Sequence, residues 1–187
     1  MIAQGFLSLA TAFGLSTSAG LNAYIPLLVV ALLARFTSLI TLSEPYDALT
    51  SWWVIGTLIV LLIVEILVDK VPAVDTVNDV IQTFIRPTAG ALLFAATTNS
   101  IGVHPVLAAV CGVILAGGVH VVKAGGRPVV ASLTAGTGNP VVSTIEDTIS
   151  FVVSVLAIVA PYLIAALLVI SLALLTWWFL HRRRRRV

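Results

Sequence analysis

The chain has 187 residues, 59% of them hydrophobic and only 10% charged, with a mean hydropathy of +1.12. A soluble domain carries roughly 25% charged residues, so this composition argues against a water-soluble fold and for a single membrane domain. Five of the ten basic residues form the terminal run Arg182–Arg186, which leaves five against eight acidic ones, and no basic stripe interleaved with aromatics supports a nucleic-acid partner.

A membrane-crossing helix needs about 20 mainly apolar residues, so the length allows roughly five to seven crossings. The amino terminus is apolar without the positively charged start and small-residue cleavage site of a secretory signal, and is expected to form the first membrane element. Residues 2–34 are one apolar stretch interrupted by Ser16–Tyr24 (STSAGLNAY), whose Ser, Gly and Asn are poor helix formers, with Pro26 just beyond. This predicts a helix broken near its middle, its freed backbone groups facing protein or a water-filled cavity. Residues 36–51 read as an outward-facing loop carrying Glu44 and Asp47, closed by the interfacial pair Trp52 and Trp53. A second span runs to about Val68 and stops at Asp69 and Lys70.

The next segment places Asp75, Asp79 and Arg86 on roughly one face of an amphipathic helix, which residues 88–101 carry into the membrane. Residues 104–122 form a further span closing at Lys123, and 124–140, rich in Gly and Pro, is expected to be a re-entrant or cavity-lining loop. A helix starting near Thr144 follows, Pro161 breaks or kinks it, and 162–180 complete the last span. Lys70, Arg86, Lys123, Arg127 and the arginine tail favour the cytoplasmic side of span ends, which predicts both termini inside, with Arg35 the exception. The fold class expected is an all-α integral membrane protein of about six transmembrane helices with broken or re-entrant segments. Residues 1–180 form the membrane domain and 181–187 a basic cytoplasmic tail.

An internal repeat is suggested by TVNDVIQTF (76–84) against TIEDTISFV (144–152), which pairs Asp79 with Asp147. A fainter echo relates the region near residue 20 to that near residue 102. The repeats are parallel if 124–140 does not cross the bilayer and inverted if it does; transporters use both arrangements, with sites at repeat interfaces.

Six of the eight carboxylates, Glu65, Asp69, Asp75, Asp79, Glu146 and Asp147, lie close to or within apolar spans. An acid at the bilayer centre costs roughly 2.5–3.5 kcal/mol, so those at depth should face the bundle interior, water or a basic partner. The plain alternatives are solvated helix ends for Asp69, Asp75 and Glu146, and snorkelling for Glu65. Asp79 and Asp147, at the starts of membrane-entering helices, either cap those helices or share a polar cavity as proton or cation acceptors. Arg86 would neutralise Asp79 or bind an anionic group. Asn22 and Asn139, in the two interrupted stretches, would line the pathway of a small solute or ion. His104 and His120 lack a companion at metal-ligand spacing, Cys111 has no partner for a disulfide, and the phosphate-loop, HExxH and GxSxG signatures are absent. Neither an enzyme, a metal nor a cofactor is expected.

The segments GLNAYIPLL (20–28), DKVPAVDTVNDVIQTFIRPTAGALL (69–93) and GTGNPVVSTIEDTIS (136–150) resemble the bacterial integral membrane proteins grouped as domain of unknown function 4126. The resemblance implies that Asp69, Lys70, Pro72, Asp75, Asp79, Arg86, Pro87, Gly90, Asn139, Pro140, Glu146 and Asp147 belong to a shared pattern, with Asn78 where that family has an aromatic residue. It implies no activity. The functional expectation is therefore a small secondary transporter or channel-like carrier in the bacterial inner membrane. It would move a small solute, ion or lipid-linked headgroup, coupled to protons or cations, in contact with membrane lipids and as a homo-oligomer in one version. The alternative is a non-catalytic membrane protein that binds lipid or a partner protein, in which the acids serve folding.

Overall fold

The structure, a computed structural model, describes residues 2–69, 72–134 and 137–184; the side chains of residues 2, 72–77, 79, 131, 175, 179, 180 and 182–184 lie outside that description. Seven α-helices follow one another: α1 (Ile2–Leu21), α2 (Tyr24–Phe36), α3 (Trp52–Val68), α4 (Pro72–Thr98), α5 (Pro105–Thr134), α6 (Asn139–Val159) and α7 (Pro161–Arg184). Short 3-10 turns at Tyr46–Thr50 and Asn99–Ile101 are the remaining regular elements among the described residues, and no strand occurs there. Three helices are long and apolar enough to cross a membrane, Pro105–Thr134, Asn139–Val159 and Pro161–Trp178; α2 and α3 are shorter apolar helices.

Helix boundaries follow local chemistry. Ser51 caps α3 by accepting from the Val54 amide at 3.3 Å. Gly102 takes the left-handed conformation (φ 74°) between the Asn99–Ile101 turn and α5, and Pro140 and Pro161 stand at helix starts, where a missing amide costs nothing. Pro87 and Pro128 instead lie inside α4 and α5.

The break in residues 2–34 differs from the expectation. Helix α1 continues through Ser16–Leu21, and only Asn22 and Ala23 leave the helix. There the chain turns back on itself, because Gln4 near the start of α1 lines the same cavity as Leu39–Thr41 beyond α2. The one broken helix expected there is thus two helices, α1 and α2. It also puts the amino-terminal end of α1 beside the 36–51 loop, whereas the sequence reading assigned them to opposite sides. The expected loop at 124–140 is corrected as well: α5 runs unbroken to Thr134, and α6 begins at Asn139, with Thr137 and Gly138 in a turn just before it. Gly125, Gly126 and Pro128 lie inside α5, beside Lys123 and Arg127, which are both held in ion pairs.

Helix α1 is the hub, packing on α4, α5, α6 and α7, while α2 packs on α3 and α6. The main core gathers Leu15, Tyr24, Val30, Leu58, Leu93 and Ile158, and Phe13 meets Phe94 edge-on at 5.4 Å in a smaller cluster. Hydroxyls tie α1 to its neighbours: Ser16 donates to the Gly90 carbonyl at 3.0 Å, Thr11 to Ala157 at 2.8 Å and Ser18 to Ser150 at 2.8 Å, with the Ser154 hydroxyl 2.7 Å away. Small residues permit this close approach, as in membrane helix pairs.

The tightest crossing is α4 on α5. A β-carbon added at Gly112 would strike the Gly90 carbonyl, and one at Gly90 would lie 2.5 Å from Ala116 Cβ. Gly112→Ala is expected to destabilise the detergent-solubilised protein by about 1–3 kcal/mol, read as a lowered thermal midpoint. Gly56→Ala, where nothing lies within 4 Å, should leave the midpoint unchanged or slightly raised. Equal shifts in the two variants would contradict this picture of the crossing.

Candidate functional site

Polar residues at helical spacing converge on the end of the bundle where α1 turns into α2. Helix α3 and its C-cap bring Glu65 and Asp69, four apart; α4 brings Asn78, Gln82 and Arg86, each four apart; α5 brings His120, Lys123 and Arg127; α6 brings Ser143, Glu146 and Asp147. Such spacings place each set on one face of its helix.

The break is where these groups meet. Asn22 Oδ1 accepts from the amides of Tyr24 and Ile25, both at 3.0 Å, and so caps α2. Its Nδ2 donates to Asp147 Oδ1 at 2.9 Å. On the other side of the turn the Leu21 carbonyl accepts from Lys123 Nζ at 2.9 Å, and the same ammonium pairs with Glu146 Oε2 at 2.8 Å. Adjacent acids of α6 therefore hold the two side chains that satisfy the broken backbone.

A second layer lies behind. Arg86, fully buried, donates from Nη2 to Glu65 Oε1 at 3.1 Å and from Nη1 to His120 Nδ1 at 3.0 Å. A guanidinium only donates, so this geometry assigns the His120 proton to Nε2, which lies 3.0 Å from the Thr83 hydroxyl. Glu65 Oε2, Gln82 Oε1 and Arg86 Nε are buried without a hydrogen-bond partner among the described residues. An unsatisfied buried polar group costs about 1–3 kcal/mol, which marks this layer as a place where stability is forgone.

Asp69 forms the third node. Its Oδ2 accepts from Ser143 at 2.7 Å and from Arg127 at 3.4 Å, and its Oδ1 from Asn78 at 2.9 Å. Burial alone would raise this carboxyl, but the Ser143 and Asn78 hydrogen bonds and the charges of Arg127 and Lys123 hold it below the usual aspartate value of 3.8. Arg127 also reaches Glu146 Oε2 at 3.5 Å.

Of the sequence-predicted residues, the structure brings Asn22, Glu65, Arg86, Glu146 and Asp147 to this end. Asn139 opens α6, half-buried, one turn before Ser143. The side chains of Asp75 and Asp79 lie outside the described residues, and so does the expected Asp79–Arg86 pairing; Arg86 is engaged by Glu65. Asp69 and Glu146 are not solvated helix ends: both are largely enclosed and ion-paired. Asp69, Lys123, Arg127, Gln82 and His120 were missed as site residues, although their spacing with neighbouring polar groups was readable. Arg35, the misfit of the topology, donates to the Thr50 carbonyl at 2.6 Å and stacks over Trp52 at 4.4 Å. Among the described residues no group of His, Cys, Asp and Glu could hold a metal.

The chain matches, over residues 9–182, the family described as domain of unknown function (DUF4126). It belongs to that family. No curated protein and no solved structure matches it. The charged cluster thus lies wholly within the stretch that defines this DUF4126 member.

Removing one partner of a buried ion pair leaves the other uncompensated, so Arg86→Met is expected to lose about 3–5 kcal/mol in a detergent melt, and adding Glu65→Gln should recover part of it. The Asp69 carboxyl, depressed in the fold, contributes stability that is present above its unfolded value of 3.8 and is lost as pH falls through the lower folded value. The difference in midpoint between wild type and Asp69→Asn should accordingly shrink on acidification below that value. A constant difference would remove the ionised carboxylate from the account.

Proposed function

We propose that this protein is a small polytopic carrier of the bacterial inner membrane that couples movement of a small solute or ion to protons or cations, with Asp147 as the exchanging group. Its membrane setting is supported by three helices of spanning length and by large apolar side chains exposed along α3, α5 and α7, such as Ile63, Ile114 and Leu167. The single observation that carries the carrier reading is the charge pattern at the break. Glu65, Asp69 and Glu146 each have a cationic partner, whereas Asn22 is the sole hydrogen-bond partner of Asp147 among the described residues. A carboxylate held by a neutral amide beside a reversed helix is free to exchange a proton or cation without breaking an ion pair. Asp75, Asp79 and Asn139 would extend the pathway, and the proposed 76–84 and 144–152 repeat would relate its halves. Helix α7, whose apolar window is 12% buried, would face lipid or a second copy.

A second reading has its own support. The completeness of the other ion pairs and the Ser18–Ser150–Ser154 ladder suit a rigid, non-catalytic membrane protein. Proteoliposomes with a trapped pH-sensitive dye separate the two. Under an imposed proton gradient with sodium or potassium opposite, wild type and Asp47→Asn, altered only in an exposed loop, should dissipate the gradient. Asp147→Asn should fall to the protein-free leak. If wild type matches empty vesicles under every gradient while Asp147→Asn merely melts earlier, the rigid reading replaces the carrier.

A further inference from the structure

Helices α2, α3 and α6 line an open groove of about 420 Å³. Its wall is hydrocarbon: Ile25, Leu28 and Leu32 from α2, Leu62 from α3 and Phe151 from α6. Its charged group is Asp147. Ile25 lies three residues past Asn22, the residue that donates to Asp147, and Leu32 lies two helical turns further on, roughly 10 Å along the axis. Asp147 therefore stands at the end of the groove nearest the break, and hydrocarbon side chains, Phe151 among them, make up nearly all of the rest. The Thr148 hydroxyl, also in the wall, is spent on the Thr144 carbonyl at 2.8 Å.

We infer that this groove binds a membrane amphiphile whose head is a protonated amine and whose tail is a hydrocarbon chain. The occupant follows from charge complementarity. Among the described side chains of the cluster, four acids, Glu65, Asp69, Glu146 and Asp147, face three permanent cations, Arg86, Lys123 and Arg127, and the pairings leave the surplus negative charge at Asp147. An ammonium head supplies the missing cation, while an anionic head would meet Asp147, which forms no ion pair among the described residues. A bare inorganic cation would leave the aliphatic length unused, and apolar walls with one placed polar group are what small-molecule sites present. The groove borders the exposed apolar faces of α3 and α6, including Ile59 and Val152, so entry is from the hydrocarbon layer. This rests on the carrier reading, for which it names the class of substrate.

The test uses the full chain in maltoside micelles, followed by intrinsic tryptophan melts with dodecylamine, dodecanoate and ethylamine. Dodecylamine should raise the midpoint saturably, and ethylamine and dodecanoate should not. Asp147→Asn should weaken the apparent affinity for dodecylamine at least about tenfold. Leu28→Trp, which fills the groove and leaves the carboxylate intact, should remove the shift and guards against a poorly folded Asp147→Asn. Equal stabilisation by dodecanoate, equal stabilisation by ethylamine, or a full shift in Leu28→Trp would each overturn the inference. Asp147-dependent proton flux without any amine shift would overturn it and leave the carrier standing. A dodecylamine shift in a protein that carries no flux would support the site and sink the carrier.

Discussion

A chain that reverses inside an apolar bundle leaves carbonyls and amides without helical partners, and the need to satisfy them organises the charged end of the protein. At the turn between α1 and α2, the Asn22 side chain supplies the amides of Tyr24 and Ile25, and the Lys123 ammonium supplies the Leu21 carbonyl. Each of those side chains then needs its own partner, and the adjacent Asp147 and Glu146 provide one apiece. The neighbouring Arg127 bridges Glu146 to Asp69, and Asp69 reaches Ser143 and Asn78, so a two-residue break recruits α3, α4, α5 and α6. Solvation of the backbone and placement of the acids are one problem with one solution.

Packing at mid-bundle makes that solution geometrically accessible. The contact of Gly90 with Gly112 draws α4 against α5, and on the same two helices, one or two turns towards the break, Arg86 and Thr83 meet His120. Gly20 approaches the Ala116 carbonyl equally closely, which brings Leu21 within reach of Lys123. Larger residues at these glycines would separate the helices and lengthen every hydrogen bond beyond them, where strength declines steeply with distance. Small residues in the middle and charges at one end therefore act as parts of a single device.

Much of this was legible. The composition pointed to an all-helical chain, Pro161 marked a real boundary, and STSAGLNAY located a break, since Asn22 is both a poor helix former and a good cap. The direction of the chain past that break was not legible, because a kink and a reversal need the same residues and differ only in what packs beside them. Gly125, Gly126 and Pro128 read as a loop by propensity, yet they lie inside α5, beside the ion-paired Lys123 and Arg127. The basic residues other than Arg86 were assigned to topology alone. A positive charge near a span end serves orientation and ion pairing equally well, and only the recurrence of polar groups at intervals of three and four on α3, α4 and α5 favoured the second.

The arrangement separates two duties of buried charge. Glu65 with Arg86 and Asp69 with Arg127 are pairs in which loss of either charge strands the other, so they hold a frame. Asp147 stands differently: a neutral amide holds it, it forms no ion pair among the described residues, and a largely apolar groove runs beside it. Yet Asn22 links it directly to the cap of α2, and α2 forms a wall of the same groove. Neutralising Asp147 weakens its hydrogen bond from Asn22 and with it the grip on the reversed helix, since bonds to an ionised acceptor are roughly twice as strong as neutral ones. On the carrier reading proposed above, that amide would link occupancy of the groove to the angle of α2, a coupling that a carrier requires and a rigid scaffold does not.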